Sequence, residues 1–380
     1  MKLPQNQATL QAVTKLIEYA FNKKQPIIEN ALFLSRYHHA DCFGTFNKEQ
    51  LSSLVMSNHF QAKIFAGTVP MSGIGYVASY PEFRGSGGVS ELMQEILTDS
   101  YENGVVISQL APFSQRFYRQ FGYENTSKQK HYRIPAAAFA YVDSERTGEV
   151  QRGTWQELKP QIQTIYHQAL KGQVGSVERE EWWWERLQEY YPHRFYAACF
   201  DQNHQLQGYL IYRLQGDTFL VDELVYLNGF ALRKLLTYMK AHVSSFAWFY
   251  YAGPAHERLE ELFSEQETLE ISIKPYMMSR IVNFSQLFRH IPIDAEAIIV
   301  EVTEDRQCPW NVGKWQVTSN QCQKVEGKQA DVRGTIQAWA ELLLGDLTLQ
   351  EGCFLDKFEV TNQKMMTVFP QGKQSFYDYF

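Results

Sequence analysis

The sequence predicts a mixed α/β protein of two or three domains. Its 380 residues give that number at about 150 residues per domain. A strand-like segment, a glycine-rich turn, an amphipathic helix and a second buried strand follow one another between residues 73 and 110. This order is typical of a parallel crossover with a binding turn after the first strand. A hydrophobic content of 44% allows each domain to bury a core.

The first part of the chain supplies these elements in order. Apolar residues at spacings of three and four predict a helix over residues 1–30, and strands are expected at 43–46, 62–66 and 73–78. An apolar stripe from Val89 to Leu97 predicts a helix that stops at Asn103-Gly104. A strand over residues 105–110 and a helix over 113–121, capped by Ser114, complete this part.

A polar, turn-like segment at residues 143–149 predicts a boundary, after which the pattern partly repeats. The repeat comprises helices at 158–172 and 230–243 and strands at 194–200, 207–214, 218–226 and 246–251. The glycine-rich turn does not recur, which indicates a duplicated domain that has lost its binding loop. From near residue 285, strands at 297–302, 315–317 and 354–360 and a helix at 335–344 predict an α+β domain.

Composition and charge narrow the classes of function. A net charge of -6 argues against nucleic-acid binding and is compatible with a cationic partner. No apolar run approaches the ~20 residues of a spanning helix, and residues 1–7 lack the apolar stretch of a signal peptide. We therefore expect no membrane association and a cytoplasmic location. Five scattered cysteines without a Cys-x-x-Cys pair argue against disulfides and a structural zinc site.

The glycine-rich turn, Arg84-Gly85-Ser86-Gly87-Gly88-Val89, is the first candidate site. Its glycines allow a ligand to approach the backbone closely. Their N–H groups and the start of the following helix suit a pyrophosphate. No Gly-Lys-Ser/Thr follows, so the turn is not a Walker loop. An ordinary surface turn is the alternative.

The second candidate is Phe117-Tyr118-Arg119-Gln120-Phe121-Gly122-Tyr123, about thirty residues further on. Phe113, Phe117 and Phe121 repeat every four residues, and we expect them to face the core. Tyr118 follows Phe117 and therefore lies next to this face of the helix, from where its side chain could point along the strand ends towards the ligand. Its phenol, with an ordinary pKa near 10, could protonate a departing thiolate. The alternative is a half-buried packing ring.

These motifs resemble the acetyl-CoA-binding half of the GNAT N-acetyltransferases, and more closely that of the enhanced-intracellular-survival (Eis) group. Pro81-x-x-Arg84-x-x-Gly87-x-Val89 with Leu92-Met93 is similar to the loop of that group, including the bulky aliphatic residue at 89. The resemblance continues through residues 174–179 with Trp182-Trp183-Trp184, residues 277–283, and the sterol-carrier-like helix and turn at 334–352. It thus covers nearly the whole chain in order.

The resemblance implies an α/β (α+β) fold of two tandem GNAT acyltransferase domains followed by a sterol-carrier-protein-like (SCP2-like) α+β domain. The expected boundaries are 1–145 for the acetyl-CoA-binding domain, 146–284 for a degenerate second GNAT domain and 285–380 for the last. The implied activity is acetyl transfer from acetyl-CoA, without a metal, by direct attack in a ternary complex. The implied acceptor is a primary amine, either of an aminoglycoside-like polyamine or of a protein lysine, in an acidic, aromatic-lined cleft for which Glu18, Phe21 and Glu29 are candidates. A homo-oligomer, in particular a hexamer, is also implied.

The same resemblance implies roles for individual residues. The general base would be the α-carboxylate of the last residue, Phe380, which follows an aromatic segment unlike a frayed terminus. An α-carboxylate has an ordinary pKa near 3.5, and burial would raise this pKa and make the group a better base. Alternatively, the carboxylate would mainly orient the amine. A tail packed for stability alone is the alternative, and Tyr118 takes the proton-donor position. The implied cofactor contacts are Val77, Ala78 and Ser79 to the pantetheine, Arg84, Gly85, Ser86, Gly87, Gly88, Val89 and Ser90 to the pyrophosphate, and Phe113 and Ser114 beside the thiol.

A carrier protein is the second hypothesis. The sterol-carrier-like region would then bind a lipid or another ligand, and the GNAT halves would be a scaffold without physiological acetyl transfer. The intact turn at residues 84–89 counts against it. Release of CoA with a panel of amines discriminates between the two hypotheses.

Overall fold

The computed structural model describes residues 1–319 and 321–380. Its helices are α1 (Gln7–Ala20), α2 (Ala31–His38), α3 (Gly88–Glu102), α4 (Gln115–Arg119), α5 (Trp155–Ala169), α6 (Glu181–Tyr190), α7 (Gly229–Lys240), α8 (Phe284–Phe288), α9 (Ile336–Leu344) and α10 (Leu349–Phe354). Its strands are β1 (Ala40–Asn47), β2 (Gln50–Ile64), β3 (Gly67–Ser79), β4 (Ile107–Leu110), β5 (Glu124–Pro135), β6 (Glu149–Gly153), β7 (Val174–Glu178), β8 (Phe195–Phe200), β9 (Leu206–Gln215), β10 (Thr218–Tyr226), β11 (Trp248–Pro254), β12 (Glu270–Ile281), β13 (Ile298–Val302), β14 (Gly313–Val317), β15 (Cys322–Lys324), β16 (Val332–Gly334) and β17 (Phe358–Val360). Within this described part, no helix has both the length and the apolar character needed to cross a bilayer.

One large sheet joins the first two thirds of the described chain. Its order is β1-β2-β3-β4-β12-β5-β11-β10-β9-β8-β6, and β7 pairs with β2. Each half contains an antiparallel meander that ends in one parallel pair, β3 with β4 and β10 with β11. Helix α3 connects the first parallel pair and α7 the second. The strand–turn–helix–strand order predicted for residues 73–110 is therefore confirmed.

The two halves exchange strands at the centre of this sheet. Strand β5 of the first half pairs with β11, and β12 of the second half lies between β4 and β5. All three of these pairings are antiparallel. The strands of one half therefore complete the other, and the second half lies directly beside the end of β4.

The third part has its own sheet, in the order β15-β14-β13-β16-β17. Trp339 of α9 is fully buried in its core. Its ring lies 5.0–5.9 Å from four phenylalanine rings, those of Phe284, Phe288, Phe358 and Phe369. Aromatic packing thus fills the centre of this part.

The largest differences between the predicted elements and the structure are at residues 1–30 and 354–360. Residues 1–30 are not one helix: α1 ends at Ala20, where Asn22 adopts a φ of +49° and Pro26 follows. Asn30 then caps a second helix, α2, by accepting a hydrogen bond from the Phe33 N–H. The strand predicted at 354–360 begins only at Phe358, because α10 extends to Phe354.

Candidate active site

The candidate site lies where β3 separates from β4. Their parallel pairing spans four residues and ends at Ile74 and Leu110. A bulge follows in β3, because Tyr76 and Val77 together oppose the single residue Val55 of β2. Tyr76 has a φ of +48°, in the left-handed region that is costly for a residue with a side chain. Since bulges bend a strand, β3 turns away from β4 and leaves a gap between the two strands.

The glycine-rich turn closes one end of this gap. Gly85 and Gly87 have φ values of +81° and +90°, which other residues rarely adopt. Gly87 is the N-cap of α3, so the first N–H groups of that helix lack intrahelical partners. A Cβ on Gly88 would lie 2.7 Å from the Ser53 hydroxyl oxygen. The glycines thus set the turn and let the start of α3 lie close to β2.

A cleft of about 610 Å³ extends from the gap to this turn. Ten of the twelve residues predicted to contact acetyl-CoA line it: Val77, Ala78, Ser79, Arg84, Gly85, Gly87, Gly88, Val89, Ser90 and Phe113. Of the other two, the Ser86 hydroxyl donates to the Phe83 carbonyl (2.7 Å) and the Ser114 hydroxyl caps α4. The open glycine backbone and the free helix N-terminus fit a pyrophosphate-bearing ligand.

Tyr118 lies deeper than the sequence predicts. It is 2% exposed, whereas Phe113, expected in the core, is 69% exposed and lines the cleft. The expectation is wrong because α4 begins only at Gln115, so Phe113 does not follow the helical period. The Phe113 and Tyr118 rings are 5.2 Å apart. Burial raises the pKa of Tyr118, and its hydroxyl has no hydrogen-bond partner among the described residues.

The last three residues of the second candidate motif, Phe121, Gly122 and Tyr123, contact other segments of the chain. Gly122 has a φ of +82°, and a Cβ there would collide with the guanidinium of Arg280. Arg280 donates to the Phe121 carbonyl and to both carboxylate oxygens of Asp305 (2.8 Å each). Tyr123 shares a 2.7 Å hydrogen bond with the Ser108 hydroxyl. This motif therefore joins the site to the third part of the chain.

The last residues of the chain are docked beside the bulge of β3. Phe376, Asp378 and Phe380 are buried. The Phe380 ring packs against Phe60, with 4.8 Å between the centroids. Its carboxyl carbon lies 3.3 Å from the position that a Cβ would occupy on Gly75. The chain terminus therefore reaches β3 at the residue before the bulge.

Arg36 of α2 also reaches Gly75, and it was not among the predicted site residues. Its Nε donates to Asn58 Oδ1 (3.1 Å), and Asn58 Nδ2 donates to the Gly73 carbonyl (2.7 Å). Its Nη2 overlaps the Cβ position on Gly75 and has no hydrogen-bond partner among the described residues. Burial lowers the pKa of Arg36 to about 10, so it stays cationic at neutral pH. An arginine within the apolar segment Phe33–Tyr37 was the available sequence signal.

A second cavity, of about 330 Å³, lies beside Tyr76. Its lining includes aromatic residues and three cations, namely Phe33, Tyr76, Tyr190, Lys23, Lys24 and Arg186. Neither Glu18 nor Glu29, which were candidates for an acidic acceptor cleft, lines this cavity, and Glu18 accepts a hydrogen bond from the Ile27 N–H (2.7 Å). Phe21, the third candidate, lines the larger cleft instead.

Three family descriptions match the chain in order. They are an acetyltransferase (GNAT) domain over residues 4–126, a second acetyltransferase (GNAT) domain over residues 175–281, and a sterol carrier protein domain over residues 285–377. The predicted fold class is thereby confirmed. No curated protein matches the sequence.

Solved structures resemble the chain over its full length. A protein from Enterococcus faecalis, described as a probable N-acyltransferase, is 31% identical with a TM-score of 0.91, and the match covers 100% of this chain and 98% of that one. A GCN5-related N-acetyltransferase from Anabaena variabilis is 21% identical, with a TM-score of 0.87 and complete coverage of both chains. Eis1 from Mycobacterium abscessus is 18% identical, with a TM-score of 0.83 and coverage of 100% and 99%. The last two show the fold alone. The chain therefore belongs to the same acyltransferase family as the Enterococcus faecalis protein, with two GNAT acetyltransferase domains followed by a sterol carrier protein domain.

Proposed function

We propose that the protein is an acetyl-CoA-dependent N-acetyltransferase that acts on primary amines by direct transfer in a ternary complex. The observation that carries this proposal is the meeting of two features at the bulge of β3. The cleft with the glycine-rich turn opens on one side of the bulge, and the docked carboxyl end of the chain reaches Gly75 next to it. An acyl donor and a proton acceptor would thus be brought to one place.

The cleft residues would hold acetyl-CoA, which supplies the thioester that the amine attacks. Backbone groups of Val77, Ala78 and Ser79 lie beyond the last pair with β4 and are available for the pantetheine amides. The turn from Gly85 to Ser90 would bind the pyrophosphate through N–H groups, with Arg84 beside it. A backbone N–H at the bulge would polarise the thioester carbonyl as negative charge develops on its oxygen.

The chain's own groups would move the protons. The Phe380 carboxylate would accept the proton that the attacking amine loses, or hold the amine in line as a hydrogen-bond acceptor. Arg36 reaches the same position on β3, and its positive charge would favour the ionised form of that carboxylate. The buried phenol of Tyr118 remains protonated at neutral pH and would donate to the sulfur as the carbon–sulfur bond breaks. The bond from the acetyl carbon to sulfur is thus replaced by a bond from the same carbon to the amine nitrogen.

The acceptor class is a primary amine, and the resemblance implies either an aminoglycoside-like polyamine or a protein lysine. The cations around the cavity beside Tyr76 would repel a polycation. They would attract an amine that also carries an anionic group, so we favour a lysine flanked by acidic residues over an aminoglycoside. The aromatic residues of the cavity would accommodate the apolar stem of the lysine.

The carrier hypothesis has less support. The core of the third part is filled by Trp339 and the phenylalanine rings around it, and this packing leaves little room for a lipid. A sterol carrier fold does not by itself imply lipid transport.

Several finer predictions are part of the proposal. They are membership of the Eis group, a homohexameric assembly, a cytoplasmic location and domain boundaries at residues 145 and 284. Gel filtration with light scattering would measure the oligomeric state.

The proposal is tested by measuring CoA release with a panel of amines. The panel contains an aminoglycoside, a neutral primary amine, and peptides with one lysine in either an acidic or a basic sequence. We expect turnover with acetyl-CoA, highest for the acidic peptide. Absence of acetyl-CoA binding and of turnover with every amine would refute the enzyme proposal, and equal turnover of both peptides would refute the preference.

A further inference from the structure

The second GNAT domain contains a groove that corresponds in register to the cofactor cleft of the first. Strands β10 and β11 pair in parallel over four residues that end at Val221 and Tyr251, as β3 and β4 do at Ile74 and Leu110. A bulge follows at once in β10, at Asp222, as one does in β3. The two strands of the second domain therefore separate in the same way, although no glycine-rich turn follows them.

Tyr377 of the chain's own tail occupies this second gap. Its hydroxyl donates to the Leu224 carbonyl (3.0 Å). Leu224 lies three residues beyond Val221, the last residue of β10 that pairs with β11. It corresponds in this way to Val77, which lies three residues beyond Ile74, the last residue of β3 that pairs with β4. The same hydroxyl lies 3.0 Å from that of Tyr251, the last paired residue of β11. The side chain packs against the buried apolar clusters on both sides of the second-domain sheet. A ring that touches both clusters passes through the gap where pantetheine would lie in the first domain.

The next residue of the tail, Asp378, is held by an ion pair. Arg179 Nε donates to Asp378 Oδ1 (2.8 Å), and Arg179 also pairs with Glu223 of β10 (2.9 Å). Trp183 Nε1 donates to the same carboxylate oxygen of Asp378 (2.6 Å). All these groups are buried, and Tyr209 donates to Glu223 (2.7 Å). Burial acts to lower the pKa of Arg179, but the two carboxylates outweigh it and hold the pKa well above the usual range.

Backbone contacts extend this docking along the tail. The Val174 N–H donates to the Lys373 carbonyl (2.9 Å), and Gln173 Nε2 donates to the Ser375 hydroxyl (2.9 Å). The Tyr276 hydroxyl donates to the Asp378 carbonyl (2.9 Å), two residues before Phe380. The contacts from residue 373 to residue 378 thus come mainly from the second domain, and the chain then crosses to β3 of the first.

We propose that the second GNAT domain is a binding site for the C-terminal tail, in which Tyr377 occupies the gap between β10 and β11 and Arg179 fixes Asp378. The domain would deliver the Phe380 carboxylate to Gly75 of the first domain. Arg179, Tyr377 and Asp378 are then positioning residues, since they act through Phe380. This role depends on the proposed function of the Phe380 carboxylate, whereas the binding of the tail does not.

The test uses full-length variants and a double-mutant cycle. Tyr377→Phe removes one hydroxyl, and Asp378→Asn removes the charge opposite Arg179. We expect each to lower kcat about tenfold or more with acetyl-CoA affinity unchanged. In protein lacking Phe380, the same substitutions should cost nothing further, because there is no terminal carboxylate left to position. Tyr238→Phe is the matched control, since it breaks a 2.8 Å tyrosine–tyrosine hydrogen bond with Tyr212 in the same domain, away from the tail.

Release of Phe380 by a carboxypeptidase that prefers aromatic ends measures docking independently of activity. We expect faster release from Tyr377→Phe and Asp378→Asn than from the parent, and parent-like release from Tyr238→Phe. Release unchanged in both tail variants would overturn the proposal. Faster release with undiminished kcat would instead contradict the catalytic role of Phe380 and leave tail binding intact.

Discussion

Replacing Gly75 by alanine tests the geometry at the chain terminus. The added methyl would overlap Nη2 of Arg36 and stand 3.3 Å from the carboxyl carbon of Phe380. Since such atoms rest about 3.5 Å apart, the guanidinium must move by about 1 Å. The backbone adds no strain, because the φ of Gly75 lies outside the left-handed region.

The cost of that movement follows from the contacts of Arg36. The guanidinium lies between Asn58, to which it donates at 3.1 Å, and the Tyr76 ring at 4.7 Å. Loss of a hydrogen bond from a charged group costs about 1.5–3 kcal/mol, so the melting temperature should fall by a few degrees. A shift of about 1 Å in a group that orients the reaction can cost about 100-fold in rate.

The assay compares kcat, the Kd of acetyl-CoA and the melting temperature for Gly75→Ala and for a control. Gly229→Ala is the matched control, because its Cβ would meet only the side-chain end of Arg233, at 3.2 Å. We expect a kcat about 100-fold lower for Gly75→Ala. The Kd of acetyl-CoA should be nearly unchanged, because Gly75 does not line the cleft. A folded Gly75→Ala protein with the kcat of the control would refute the reasoning.

Three further predictions concern other parts of the structure. Tyr118→Phe should lower kcat about 100-fold without lowering the melting temperature, since the hydroxyl makes no hydrogen bond within the described chain; an unchanged kcat would exclude it as the proton donor. Gly87→Ala should weaken acetyl-CoA binding in calorimetry about tenfold, because its φ of +90° disfavours a side chain; equal affinity would exclude the turn from the cofactor site. Burial raises the pKa of Glu257 from 4.5 to about 8, so its contribution to stability is complete below pH 4.5 and is lost as the pH rises through 8. Glu257→Gln should therefore flatten the decline of melting temperature between pH 5 and 8, and an unchanged slope would contradict this account.

Local patterns in the sequence predicted the part of the fold that local forces determine. The apolar stripe of α3 and the strand before it depend on neighbours in the chain; the helix lies where the sequence predicts it, and the strand predicted at 73–78 is the second half of β3. Periodicity failed for Phe113 because the helix starts two residues later, at Gln115. It also failed for residues 1–30, where a left-handed Asn22 ends α1.

Long-range pairings explain what the sequence left out. The insertion of β12 between β4 and β5 joins residues at least 137 positions apart, and no local pattern encodes it. The ion pair of Arg179 with Asp378 spans 199 positions. Arg36 and Gly75 are individually unremarkable in the sequence, and only the fold brings them to the chain terminus. The cleft with the glycine-rich turn could be predicted from the sequence because the turn is contiguous, whereas the contacts of the tail come from distant segments.

The most direct test of the account is the activity of protein whose Phe380 carboxylate is displaced by one added glycine. Mass spectrometry of the intact chain confirms the terminus of each sample, and the parent protein is the control. We predict that kcat falls by about 100-fold or more, while the Kd of acetyl-CoA and the melting temperature remain close to those of the parent. Parent-like turnover of the extended chain would contradict the central claim that the α-carboxylate of Phe380 takes part in the reaction.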